Sequence, residues 1–244
     1  IRLMKPFTVT GKLYLIPTTL GDTNPLEVMP ISVKKVIEHV DHYIVENEKS
    51  ARRAIKNISP GKSQDALQLY PLNKYTDNME LPSYLEPCLQ GHSVGLLSEA
   101  GVPGVADPGA EVVKIAHQKG IQVIPLVGPS SILMAMMSSG MNGQNFAFNG
   151  YLPIDQKERK QEIKRLERLS ADHGQSQLFI ETPYRNDKML QDIVNTVHPT
   201  TSICIACDIT LPTEYIVTKP ASFWKTNAPD LHKRPAIFII HKES

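Results

Sequence analysis

Ser98-Glu99-Ala100-Gly101-Val102-Pro103-Gly104-Val105-Ala106-Asp107-Pro108-Gly109 is the stretch on which the reading of this chain turns. The apolar run before it, Val94-Gly95-Leu96-Leu97, has the character of a buried strand. The run after it, Glu111-Val112-Val113-Lys114-Ile115-Ala116, has that of a helix. Asp107 suits an N-cap, Pro108 the first helical position, and Glu111 puts negative charge in the first turn. Between strand and helix lie three glycines and two prolines. Glycine lets backbone approach a ligand closely, and proline stiffens the surrounding loop. In an open α/β sheet the loops at the carboxyl ends of the strands are where ligands bind. A plain connector is the bland alternative, but a loop with so few side chains is long for one. The stretch therefore reads as a ligand loop.

Working outward, strand-like and helix-like segments alternate through the first half. Leu13 to Pro17 reads as the opening strand, Ser32 to Val40 as a helix with Val33, Val36, Ile37 and Val40 on one face. His42 to Glu46 reads as a strand, Ser50 to Asn57 and Tyr84 to Leu89 as short helices, and 108–119 as a helix stopped by Lys119-Gly120. Ile121 to Leu126 is expected to be a further buried strand. This alternation implies a largely parallel sheet covered by helices on both faces. Ile132-Leu133-Met134-Ala135-Met136-Met137, opened by Gly128-Pro129-Ser130-Ser131, is apolar all round and is expected to be buried all round. Beyond it, Asp155 to Ser170 reads as a surface helix with Ile163, Leu166 and Leu169 as its apolar stripe. Ser176 to Glu181, Ser202 to Cys207, Tyr215 to Val217 and Ala236 to Ile240 read as strands of a second, mixed sheet, with a helix over Asn186 to Val197. No helix is expected between the last two strands. The expected architecture is two α/β domains, 1–127 and 128–244.

At 244 residues and 41% hydrophobic, the chain can bury one large core or two modest ones. It has no apolar run long enough for a membrane span, so no membrane partner is expected. The opening Ile1-Arg2-Leu3-Met4-Lys5-Pro6 lacks the layout of a signal peptide, and Met4 reads as the natural start. A net charge of +1 gives no global pull toward a polyanion, which a local patch would have to meet. Three cysteines suit a reducing, cytoplasmic setting. Cys204 and Cys207 have a C-x-x-C spacing but lie in an apolar β-type run, where positions three apart point to opposite faces. They read as core residues, not a redox pair. The P-loop, HExxH, GxSxG and complete GxGxxG motifs are absent, the eight histidines form no metal-type pair, and no metal site is expected.

What remains is a set of short segments, each following an apolar run: Pro17-Thr18-Thr19-Leu20-Gly21-Asp22, Glu46-Asn47-Glu48-Lys49, the loop 98–109, Gly128-Pro129-Ser130-Ser131, Asn149-Gly150-Tyr151-Leu152-Pro153, Glu181-Thr182-Pro183-Tyr184-Arg185 and Cys207-Asp208-Ile209-Thr210. Together they resemble the tetrapyrrole methylase superfamily of S-adenosylmethionine-dependent methyltransferases. Within it they are nearest the bacterial family that 2'-O-methylates a cytidine of small-subunit (16S) ribosomal RNA. The resemblance runs from about Leu13 to Ile240. It departs where the family's glutamate-aspartate-threonine-arginine segment appears as Glu46-Asn47-Glu48-Lys49. It departs again where a histidine-rich stretch is replaced near Tyr70 to Lys74, at Glu99 (aspartate in the family) and at Asp208 (glutamate in the family).

The resemblance implies a cleft between the two domains that holds S-adenosylmethionine. Pro17, Ser98, Glu99, Ala100, Gly101, Val105 and Ala106 would bind its methionine end, with hydroxyls from Ser130 and Ser131. Glu181, Thr182, Asp208, Pro235 and Ala236 would wall the adenosine. Capping is the alternative role for the two serines, and a plain strand start for Pro235 and Ala236. A ribose hydroxyl is a poor nucleophile that a base would help. Glu46 and Glu48 are the expected catalytic carboxylates, with Arg185 or Lys49 on a phosphate; a solvated helix start is the alternative for this charged run. Lys157, Arg159, Lys160, Lys164, Arg165 and Arg168 on the 155–170 helix offer a possible RNA-phosphate face, or merely an exposed charged surface. The expected partners are ribosomal RNA or the small ribosomal subunit and a second copy of the chain as a homodimer. A tetrapyrrole-like small-molecule acceptor, and a cofactor-binding protein without catalysis, remain open.

Overall fold

Leu13 and Ile16 stand at opposite parity on one strand, so they pack on opposite faces of the first sheet. The same alternation carries through Tyr43, Ile44 and Val45 and through Leu96 and Leu97. In this computed structural model the described residues are 9–243, and the start read at Met4 lies outside them. The chain divides into two compact units, with the boundary between Ser130 and Ser131.

The first unit holds strands β1 (Lys12–Ile16), β2 (His42–Val45), β3 (Gln68–Pro71), β4 (Val94–Leu97) and β5 (Gln122–Pro125), in the order β3-β2-β4-β1-β5. All neighbouring pairs are parallel. Its helices are α1 (Pro25–Val28), α2 (Ile31–His39), α3 (Glu48–Ile58), α4 (Leu81–Tyr84), α5 (Glu86–Leu89) and α6 (Ala110–Gln118). Val33 and Ile37 of α2 and Ala51, Ile55 and Ile58 of α3 pack against Ile16, Tyr43 and Val45. Leu81, Leu85, Cys88, Val112, Ile115 and Ala116 pack on the other face, against Leu13, Ile44, Val94 and Leu96. The expected parallel sheet with helices on both faces is present. Two expectations need correction. β5 is an edge strand and only half-buried, because no strand among the described residues pairs beyond it. Helix α6 starts later than read: Gly109, at φ 138°, is its N-cap, and Asp107 and Pro108 belong to the loop.

The second unit holds helix α7 (Ser131–Ser139), strand β6 (Phe146–Tyr151), α8 (Gln156–His173), β7 (Ser176–Ile180), α9 (Asn186–Val194), β8 (Ser202–Cys207), β9 (Tyr215–Pro220), α10 (Ala221–Trp224) and β10 (Ala236–His241). The sheet order is β6-β7-β10-β8-β9. β6 and β7 are parallel and the other pairs antiparallel, so the sheet is mixed as expected. Phe179, Ile203, Ile205, Cys207, Phe238 and Ile240 meet α8, α9 and Trp224 of α10 in one core. Helix α7 packs along β9 and β10, and its Ser139 carbonyl accepts from Thr218 Oγ1 at 2.7 Å.

Here too the structure corrects three expectations. α7 is not buried all round: Ile132, Ala135 and Met136 are buried, but Leu133 is 57% and Met137 82% exposed. A helix does lie between the last two strands, α10, whose Trp224 Nε1 donates to the Ile203 carbonyl at 3.2 Å. Arg159 is not on an RNA-facing surface. It is buried, and its guanidinium donates to Asp192 Oδ2 at 2.6 and 3.0 Å. Cys204 and Cys207 are free and buried, and only Cys207 joins the core under α8 and α9, as two opposite faces require.

Candidate functional site

The geometry begins at adjacent strands β1 and β4. The chain leaving β1 goes to α2 on one face of the sheet, and the chain leaving β4 goes to α6 on the other. Where neighbouring strands send their connections to opposite faces, a crevice opens at their carboxyl ends. Its two lips are tied together. Thr18 N–H donates to the Gly101 carbonyl at 2.9 Å, Gly101 N–H donates back to Thr18 at 3.3 Å, and Thr18 Oγ1 donates to the Ser98 carbonyl at 3.2 Å. Gly101 sits at φ 75°, a left-handed conformation that glycine adopts freely. A Cβ there would also come 3.1 Å from Leu20 and 3.2 Å from the Pro129 carbonyl.

Ser98 is buried, and its Oγ donates to the Ala100 carbonyl at 3.0 Å while accepting from Ala100 N–H at 3.2 Å. Asp107 is half-buried beside Ser98 and does not cap α6, which has no side-chain cap. Burial pushes the Asp107 pKa up to about 6, the Ser98 hydrogen bond opposes the rise, and the charges of Glu46 and Glu99 add to it. Ala106 beside it is at φ 56°, where a non-glycine residue is strained. Glu99, Ala100, Val105 and Ala106 are exposed. Around Gly104, at φ 78°, no atom lies within 4 Å of where a Cβ would stand. The loop is therefore open, small-sided and rich in accessible backbone groups.

Glu46 and Asn47 follow β2 at the same edge. Asn47 caps α3, accepting from Lys49 and Ser50 N–H at 3.0 and 3.1 Å. The two expected carboxylates separate here. Glu46 lines a cavity of about 710 Å³ together with Lys49, Ser50, Arg53, Asn73, Lys74, Tyr75 and Glu99. Glu48 turns along the helix to Arg52, 2.9 Å away. A smaller cavity of about 350 Å³ adjoins, sharing Ser50, Arg53 and Glu99 and lined also by Thr18, Thr19, Asp22 and Thr23. Ser50 Oγ donates to Glu99 Oε1 at 2.7 Å between them.

In the second unit, β7 and β8 end where β10 begins, so Glu181, Asp208, Pro235 and Ala236 share one sheet edge. Asp208 N–H donates to the Pro235 carbonyl at 2.9 Å. Glu181 is buried, and its Oε1 accepts from Thr182 N–H at 2.6 Å and from Arg185 Nη2 at 2.8 Å. Asp208 is likewise buried and accepts from Arg234 Nε at 2.8 Å and Thr213 Oγ1 at 2.9 Å. Asp208 at φ 50° and Thr210 at φ 74° both hold left-handed backbone at this turn, a sign of a constrained site. Arg234 and Asp107 were missed in the sequence. The signal for Arg234 was its place next to Pro235; for Asp107 a cap motif masked it.

The expected residues thus form two groups. Pro17, Glu46, Ser98, Glu99, Ala100, Gly101, Val105 and Ala106 lie at the carboxyl edge of the first sheet, with Ser130 ending that unit. Glu181, Thr182, Arg185, Asp208, Pro235 and Ala236 lie at one edge of the second, and Ser131 opens α7. The first group offers open backbone and hydroxyls, the second buried carboxylates held by arginines, and each by itself is a donor set that suits part of a nucleoside with a charged amino-acid tail. Two buried polar atoms near the second edge, Asn186 Oδ1 and Thr210 Oγ1, have no hydrogen-bond partner among the described residues.

No family model matches the chain. It is 25% identical to the ribosomal RNA small subunit methyltransferase I of Vibrio cholerae over 94% of this chain and 76% of that protein. It is 27% identical to the protein of the same name from Buchnera aphidicola, over 97% and 80%. Among solved structures it is similar to the methyltransferase CobJ, with a TM-score of 0.63 at 15% identity, covering 95% of this chain and 94% of that one. It is also similar to a uroporphyrin-III C-methyltransferase from Thermus thermophilus complexed with S-adenosyl homocysteine, with a TM-score of 0.52 at 15% identity, over 95% and 98%. The resemblance drawn from the loops therefore holds in sequence and in fold.

Proposed function

We propose that this chain, which has the tetrapyrrole methylase fold, is an S-adenosylmethionine-dependent methyltransferase acting on ribose 2'-hydroxyls of small-subunit ribosomal RNA. One observation carries the choice of acceptor. Similarity to ribosomal RNA small subunit methyltransferases I is 25–27% over nearly the whole chain, while the tetrapyrrole enzymes share the fold at 15%.

S-adenosylmethionine, when bound, would supply an electrophilic methyl group for the acceptor oxygen. The chain's part is mostly placement. Backbone of 98–106, fixed by the Thr18–Gly101 pair, would hold the amino-acid end of the donor, with Ser130 and Ser131 adding hydroxyls. Glu181, Thr182, Asp208, Pro235 and Ala236 would line the adenosine, the two carboxylates kept in position by Arg185 and Arg234. Glu46, exposed in its cavity and close enough to Asp107 to raise its pKa, takes the proton of the acceptor hydroxyl. Glu48, engaged by Arg52, has a helical pairing role instead.

Residence in the cytoplasm and a homodimer belong to the same reading. Three buried free thiols suit a reducing compartment, and no helix among the described residues is long and apolar enough to cross a membrane. The exposed Leu133 and Met137 leave an apolar strip on α7 that a second copy would cover.

The test is transfer of labelled methyl groups from S-adenosylmethionine to small ribosomal subunits, free rRNA and porphyrin precursors. Label on rRNA is the expected result. Label on a precursor alone, or donor binding without turnover, would replace this reading with one of its two competitors.

A further inference from the structure

The cavity beside Glu46 holds features that the donor site does not use. Asn73, Lys74 and Tyr75 follow β3 in a tight turn: Tyr75 N–H donates to Asn73 Oδ1 at 2.9 Å, Thr76 N–H to the Asn73 carbonyl at 3.0 Å, and Thr76 Oγ1 to the Pro71 carbonyl at 3.0 Å. The turn presents the Tyr75 ring 82% exposed. Lys74 Nζ lies 4.9 Å from the ring centroid, over one face. Arg53 and Lys49 project from α3 into the same cavity, and none of Lys49, Arg53 and Lys74 takes part in an ion pair among the described residues.

The Tyr75 ring stands exposed at the cavity beside these three cations, and a turn held by three hydrogen bonds lowers the entropy cost of presenting it. An aromatic face flanked by cations is what single-stranded nucleic acid uses: the base stacks, and the phosphate meets the positive charge. The volume, about 710 Å³, lies within the range of small-ligand pockets. Glu46 and Glu99 line the same space and repel phosphate, so the phosphate belongs at the Lys49–Arg53–Lys74 end and the ribose at the carboxylate end.

We infer that this cavity receives one unstacked nucleotide of single-stranded RNA, its base on Tyr75 and its phosphate among Lys49, Arg53 and Lys74. The inference rests on the methyltransferase reading and adds to it the element that draws the acceptor residue out of its stack, delivering its ribose to Glu46. A paired base cannot reach Tyr75 without leaving its duplex.

The probe is a fluorescein-labelled, mixed-sequence single-stranded RNA oligonucleotide, followed by anisotropy with the full chain. Donor binding is measured in parallel by calorimetry with S-adenosyl homocysteine. Tyr75→Ala is expected to weaken RNA binding ~5- to 150-fold, the range of one base-on-aromatic stack, while Tyr75→Phe keeps wild-type affinity. The triple variant Lys49→Ala, Arg53→Ala, Lys74→Ala is expected to lower affinity and flatten its salt dependence, the slope changing by ~0.7 for each phosphate no longer neutralised. S-adenosyl homocysteine affinity is expected to stay unchanged in all three, which also shows that they fold. Equal RNA affinity for wild type and Tyr75→Ala, with donor binding intact, would overturn the inference and leave the methyltransferase reading standing. Loss of affinity in Tyr75→Phe as large as in Tyr75→Ala would also overturn it, since the ring is then not the contact. Failure of that reading has a separate signature, wild-type protein that binds the donor and methylates no RNA.

Discussion

Gly128 lies against Pro17: a Cβ at Gly128 would stand 2.3 Å from Pro17 Cγ and 2.4 Å from its Cβ. The loop after β5 is thereby clamped on the loop after β1, and only a hydrogen fits between them. Pro17 is a ring and cannot swing aside. Gly128→Ala is expected to destabilise the chain by ~1–3 kcal/mol, the usual cost of overpacking. At ~2–4 °C of Tm per kcal/mol in a chain of this size, a thermal melt resolves that. Gly143→Ala, where no atom lies within 4 Å of the added Cβ, is expected to be neutral or slightly stabilising. Equal melts for the two variants would contradict the clamp.

Asp107 gives the chain a pH dependence of definite sign. Burial lifts its pKa from 3.8 to about 6, so between those values the folded chain holds a proton that the unfolded chain has released. Stability from this group is full below the unfolded value and is lost as pH rises through the folded one. Asp107→Asn removes the penalty. Its Tm, relative to wild type, is expected to climb between pH 4 and pH 7; a constant offset across that range would rule out the buried carboxyl as the cause.

Arg159 and Asp192 show the opposite sign. Burial alone would raise the Asp192 pKa, but hydrogen bonds from Gln156 and Arg159, with the charges of Arg159 and Lys188, hold it below the ordinary value. The stability it contributes is present at neutral pH and is lost as pH falls below the usual carboxylate range. Their side chains are 7% and 2% exposed, so Asp192→Ala strands a buried guanidinium. A loss of ~3–5 kcal/mol is expected in urea unfolding, largely recovered by the double change Arg159→Met, Asp192→Leu. Failure of the double change to recover stability would mean the site tolerates no apolar pair.

Glu46 and Glu48 separate in a kinetic test. Glu46→Gln is expected to lower kcat ~10²- to 10⁴-fold with donor affinity unchanged, the range of general-base catalysis. Glu48→Gln, which only frees Arg52, is expected to leave the rate within a few-fold. Single-turnover methylation of rRNA measures both. The reverse ranking would move the base two residues along the chain, from Glu46 to Glu48.

Much of this was legible before any coordinates. The strand-then-small-loop pattern at 94–109 found the switch-point lip, and residue parity at Cys204 and Cys207 assigned their two faces. The misreadings share a cause, that local propensity cannot see a tertiary partner. Asp107-Pro108 has ideal capping chemistry, yet α6 starts beyond it, at Gly109, and the Asp107 carboxyl is half-buried in the loop. Arg159 looked like surface charge until Asp192 of another helix met it. β3, with Gln68 and Pro71 exposed at an edge of the sheet, carries too little apolar alternation to stand out. Tyr75 and Arg53 are far apart in sequence, and only the fold brings them to one cavity.

The most direct measurement of the central claim is alkaline hydrolysis of small-subunit rRNA labelled by this enzyme with S-adenosylmethionine. A methyl group on the 2'-oxygen blocks cleavage at that linkage, so the account predicts that the label survives in an alkali-resistant dinucleotide. Label recovered entirely in mononucleotides would place the methyl on a base and contradict it.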